Sequence, residues 1–135
     1  MKHCYKEDIK ENDKSNVAKI FFIPKKQGQM MVGDYCHCGI IYKNKLYETI
    51  EEGCGHYGHC IEKEDIFSPQ LKKQKAVFIS TKIHPEKIEQ EINSGTSPSQ
   101  FVLRAMGMSN LKGAEKGSLQ PSDVYKMIGR KKYDR

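Results

Sequence analysis

A histidine and a carboxylate eleven residues apart, His37 and Glu48, open the chemical reading of this chain. An imidazole backed by a carboxylate is a base held in one orientation, the arrangement that activates a nucleophile or fixes a polar ligand. Around the pair lie further soft or borderline metal ligands: Cys36, Cys38, Cys54, His56, His59 and Cys60. Four such groups in tetrahedral array hold zinc, and a glycine-rich loop can wrap the ion. The spacings C-x-C and C-x-H-x-x-H-C are not the paired C-x-x-C of common fingers, so a structural zinc is one expectation and buried free thiols are the other. Two serines, Ser97 and Ser99, flank the start of a well-signalled helix and complete the set of candidate nucleophiles.

The residues that must position His37 and Glu48 read as a β-hairpin. Tyr35–Tyr42 is rich in aromatic and β-branched residues, Lys43-Asn44-Lys45 carries the turn, and Leu46–Ile50 returns. With Lys43-Asn44 as the loop, Gly39 falls opposite Glu48 and His37 lies on the diagonal, ~7–8 Å away between Cα atoms and within reach of long side chains. Alternation puts His37, Gly39 and Ile41 on one face. Cys36, Cys38 and Ile40 fall on the other, so that Cys36 and Cys38 could reach one ion but point away from His37.

Before the hairpin, residues 1–16 form a polar arm, and Val17–Ile23 is a strand stopped by Pro24. After it, Glu51–Cys60 holds three glycines and reads as a loop. Ile61–Phe67 reads as a short helix ended by Ser68-Pro69, and Ala76–Ser80 as a strand. Three helices follow. One runs from His84-Pro85 to Ile92. One is capped by Ser97, with Pro98 in the first turn and Gly107 as its stop. One covers Gln120–Gly129, before a basic tail at 130–135. Strands first and helices after give an α+β fold: one domain, a small antiparallel sheet built on the central hairpin and packed by C-terminal helices.

The segment Y-C-H-C-G-I-I-Y-K-N-K-L-Y-E resembles the S-H-V-G-I-Y-x-G-x-G-x-V-x-E/H hairpin of NlpC-type cysteine hydrolases. It is most similar to the circularly permuted branch, the YiiX-like and lecithin retinol acyltransferase-like proteins. Those proteins also carry segments of the type C-S-x-F-V-x-x-A-x-G and P-S-D-L-Y. Here S-P-S-Q-F-V-L-R-A-M-G (97–107) and P-S-D-V-Y (121–125) stand in the same order. The resemblance implies a permuted papain-like core over 17–129, with His37 as base and Glu48 as its orienter. The family's cysteine falls at Pro98, which has no nucleophile. The implied function is therefore a catalytically degenerate domain kept for binding or assembly. An active hydrolase or acyltransferase using His37 with Ser97, Ser99 or a loop cysteine is the alternative, and a zinc-stabilised binding module is the third.

The chain has 135 residues, 23 Lys and Arg against 17 Asp and Glu, and a net charge of +6. That surface favours anionic partners, yet no aromatic-studded basic motif marks a specific nucleic-acid ligand. No apolar run is long enough for a membrane span and no signal segment opens the sequence. Five cysteines in such a chain suggest reduced thiols in a cytoplasm. Small size, lysine-rich composition and a disarmed site fit a phage-encoded protein with a protein partner, such as a virion component.

Overall fold

The computed structural model describes residues 16–29, 33–53, 56–108 and 119–133. Its strands are β1 (Val17–Pro24), β2 (Tyr35–Tyr42), β3 (Lys45–Gly53), β4 (His56–Lys63) and β5 (Val77–Lys82). They pair in the order β4-β3-β2-β1-β5, every neighbour antiparallel. Four helices accompany them among the described residues: α1 (Glu64–Lys73), α2 (Pro85–Ile92), α3 (Pro98–Ala105) and α4 (Pro121–Tyr133). The fold is α+β.

The apolar run in β1 explains the layering. Ala18, Ile20 and Phe22 face one side and Phe21 and Ile23 the other, and all five are buried. A strand apolar on both faces needs cover on both faces. On one side, Ile20, Phe22, Cys38 and Ile40 pack with Ile88 and Ile92 of α2, Phe101, Val102 and Leu103 of α3, and Val124 and Ile128 of α4. On the other, Phe21, Ile23 and Leu46 pack with Phe67 and Leu71 of α1. The sheet is thus the middle of three layers.

The hairpin has the expected register, with Tyr42 paired to Lys45 and Ile40 to Tyr47. Lys43 and Asn44 both take positive φ, 49° and 62°, as a two-residue turn matched to strand twist requires. The helix around Ser97 is equally faithful to its punctuation. The Ser97 side chain accepts from the Gln100 amide at 3.3 Å. At the other end Gly107 (φ 75°) lets its own N–H reach Arg104 O and that of Met108 reach Leu103 O, both at 2.9 Å.

Three expectations are corrected. The described residues of the stretch 51–60 are strand, not loop: β3 continues to Gly53, and His56–Lys63 is a strand paired along β3 from Lys45↔Lys63 to Gly53↔His56. Its glycines and histidines hide a strand that cross-strand pairing, not propensity, creates. The predicted helix at 61–67 begins only at Glu64 and passes through Pro69 to Lys73. Burial of Phe67 and Leu71 one turn apart outweighs the one hydrogen bond the proline removes. The last helix also continues past Gly129 to Tyr133, into the predicted basic tail. The N-terminal arm before Asn16 lies outside the described residues.

Candidate functional site

His37 stands near the start of β2, where pairing with β1 is irregular. Ile23 pairs with His37 but Pro24 pairs with Tyr35, so Cys36 is an extra residue in β2. This is a β-bulge, and it breaks strict alternation. Tyr35 turns to the α4 side, its ring 5.5 Å from Phe22 and 4.7 Å from Tyr125. Cys36 and His37 both turn to the α1 side, where they line one cleft. The expectation that Cys36 points away from His37, and shares a face with Cys38, is therefore overturned by one inserted residue.

The His37 Nε2 atom lies 2.5 Å from Glu48 Oε1. The two side chains are 25% and 18% exposed, dry enough to strengthen the bond and open enough to meet a ligand. Continuing the hairpin register by one step places Gly39 across from Glu48, which supplies the diagonal reach. The Phe21 ring lies over Gly39 and 5.9 Å from the His37 ring, closing the floor behind the imidazole. When Nε2–H donates to Glu48 Oε1, Nδ1 is the ring nitrogen left to meet a ligand.

The cleft has a volume of about 370 Å³, within the range of small-ligand sites. Its floor is apolar: Phe21, Ile23, Leu46, Phe67 and Leu71. Its rim is polar: Cys36, His37, Glu48, Glu62, Gln70 and Gln74, with Lys26 and Gln29 at one end. Gln70 on α1 and Gln74, the residue that caps its C-terminus, were not foreseen because the helix was expected to stop at Ser68-Pro69. Glu62 was missed for the same kind of reason, since β4 was read as a loop and a helix.

The remaining candidates scatter. Cys60 pairs with Glu48 across β3 and β4. Burial first, then the charges of Glu62 and Glu48, push its thiol up from the ordinary range. Cys38 is fully buried on the opposite face, where burial raises its pKa to about 12 against a lowering hydrogen bond from Ser99. His59 pairs with Thr49 and is exposed, as is His56. Cys54 lies outside the described residues. Cys36 and Cys38 thus do not converge, and no three His, Cys, Asp or Glu side chains gather as a metal-holding group among the described residues.

The serines are not brought to the histidine. Ser97 caps α3, and Ser99, 2% exposed, is buried against Cys38 on the face away from His37. Cys38 of β2 meets the start of α3 through Ser99. No protein-family model, curated protein or solved structure matches this chain. No helix among the described residues is long and apolar enough to cross a membrane.

Proposed function

We propose that this domain works by binding, and that its working site is the His37–Glu48 cleft. The motifs shared with NlpC-type hydrolases supply a framework in this reading, and the family's helix-borne catalysis is lost. The observation that carries it is the separation of parts. The α3 start, where the family's nucleophile belongs, has Pro98 there and packs on the sheet face opposite His37. A serine hydroxyl needs its base within hydrogen-bond reach, about 2.6–3.2 Å, and a sheet lies between them. What is left is an oriented imidazole at the mouth of an apolar-floored, polar-rimmed cleft. That suits a group with an aliphatic body and a polar head, such as a side chain presented by a protein partner. Service as an assembly component, in a phage particle for example, belongs to the same proposal.

The test uses butyramide and butyrate as probes on the full chain, followed by amide chemical-shift mapping. The reading expects saturable shifts at Cys36–Gly39 and at Gln70–Gln74, weakened by His37→Ala. It also expects no reaction of Ser97 or Ser99 with a fluorophosphonate. Labelling of either serine, or shifts confined to the α3 side, would overturn it.

A further inference from the structure

We infer that the outer edge of β5 is a docking strand, and that its partner is an extended, acidic peptide segment that adds to the sheet as one further strand. The inference goes beyond the cleft and does not depend on it. β5 is the last strand of the sheet, bonded to β1 on one side. Alternate N–H and C=O groups along its other side point outward, and no strand among the described residues pairs with them. Folded proteins blunt such edges with bulges, prolines or charges. The opposite edge, β4, is blunted: its pairing is irregular at Glu51 and Gly53, and Glu62 and Lys63 stand at its end. β5 has no such device. Its residues V-F-I-S-T-K pair with β1 in unbroken register, and only the last is charged.

The face beside that edge is incompletely covered. α1 packs on Phe21 through Phe67 and Leu71. Phe78, which pairs with Phe21, remains 46% exposed, and Val17 is 39% exposed. A groove of about 250 Å³ lies beside Phe78, lined by Ile41, Phe67 and Leu71 with Lys19. An added strand sets a side chain across from Phe78, where an apolar one covers the ring. Charge selects the occupant. Lys19, Lys75 and Lys82 are exposed around β5, Lys72 and Lys73 end the helix that leads into it, and Glu64 is the acid that lines the groove. Two copies joined edge to edge would bring these lysines together on chains that each carry +6, so self-pairing is opposed. Acidic residues on a partner strand meet them instead. Main-chain bonds then give the affinity, and side chains on the added strand give the choice of partner.

The experiment titrates the full chain with the acetylated, amidated peptide E-T-T-V-V-V-T-E. Its valines match Val77–Ile79 in antiparallel register, and its acids fall at the ends, toward Lys75 and Lys82. The same peptide with both glutamates replaced by lysine is the control. Amide shifts and hydrogen exchange are read together. The inference expects saturable shifts at Val77–Lys82, new protection of the outward amides of β5, and no binding of the lysine peptide. Binding should weaken severalfold in about 1 M salt, where charges are screened within about 3 Å. Phe78→Glu, at an exposed position, should weaken it about tenfold or more, because it removes the apolar cross-strand contact and sets like charges together. Circular dichroism checks the fold of that variant. Equal binding of both peptides, shifts without new protection, protection at β4 instead, or no saturable binding would overturn the inference. So would β5 amides already protected in the free chain by a dimer that sedimentation detects, which would make the occupant a second copy.

Discussion

Replacing Gly39 by alanine should destabilise the fold and disturb the cleft together. Ordinarily Gly→Ala in a strand is favourable, because it removes about 0.4–1 kcal/mol of unfolded-state freedom. Gly39 has no positive φ to forbid the change. The obstacle is steric. A Cβ there would lie 2.4 Å from Phe21 Cζ, 2.5 Å from Cε2 and 2.9 Å from the Tyr47 carbonyl oxygen. The oxygen belongs to the sheet, and Phe21 is only 1% exposed, so neither yields cheaply. Overpacking costs about 1–3 kcal/mol, and with a backbone oxygen and a buried ring both in the way a cost of about 2 kcal/mol, less the entropic gain, leaves a net loss of about 1–2 kcal/mol. Urea unfolding should show a lower midpoint with an unchanged slope. Phe21→Leu in the same chain should recover part of the loss, a coupling that additive effects would not give. An unchanged or raised midpoint for Gly39→Ala would refute the packing described for the cleft floor.

Other outcomes follow from the opposite face. Because burial lifts Cys38 to about 12 from 9.0, its proton is held in the folded state and lost in the unfolded one between those values. Stability should therefore be full below pH 9 and fall as pH rises toward 12, by about 4 kcal/mol at the limit. Alkaline denaturation of Cys38→Ala should show a shallower decline than the parent; matching slopes would contradict the buried thiol. Ser97→Ala should lower stability by about 1 kcal/mol in thermal unfolding, the worth of a cap, and leave the cleft's response to butyramide untouched. Gly107→Ala should cost at least as much, because φ is 75° and its Cβ would fall 2.7 Å from His84 Nε2.

Much of this was legible in the sequence where local chemistry decides structure. The Lys43-Asn44 turn fixes the hairpin register, and the register carries Glu48 to His37. Ser97, Pro98 and Gly107 mark α3 because caps are local devices. What could not be read depends on partners distant in the chain. β4 exists because β3 offers it a ladder, despite Gly58 and two histidines in its first half. Helix α1 passes Pro69 because the sheet buries Phe67 and Leu71. The bulge at Cys36 shows the sharpest limit. One unpaired residue turns Cys36 from the expected face to the one His37 occupies, and nothing in Y-C-H-C announces it. Hence the cleft's pair was foreseen, while its neighbouring sulfur and its glutamine rim were not.

The most direct measurement is the protonation pattern of the His37 ring by long-range ¹H–¹⁵N correlation, in the parent and in Glu48→Gln. The account predicts a ring protonated at Nε2 with that proton shifted far downfield, and an Nδ1 resonance that moves when butyramide is added. Glu48→Gln should lose the downfield proton and weaken the response to the probe. A ring protonated at Nδ1 in the parent, or one indifferent to Glu48→Gln, would contradict the claim that His37 and Glu48 form the working unit of this protein.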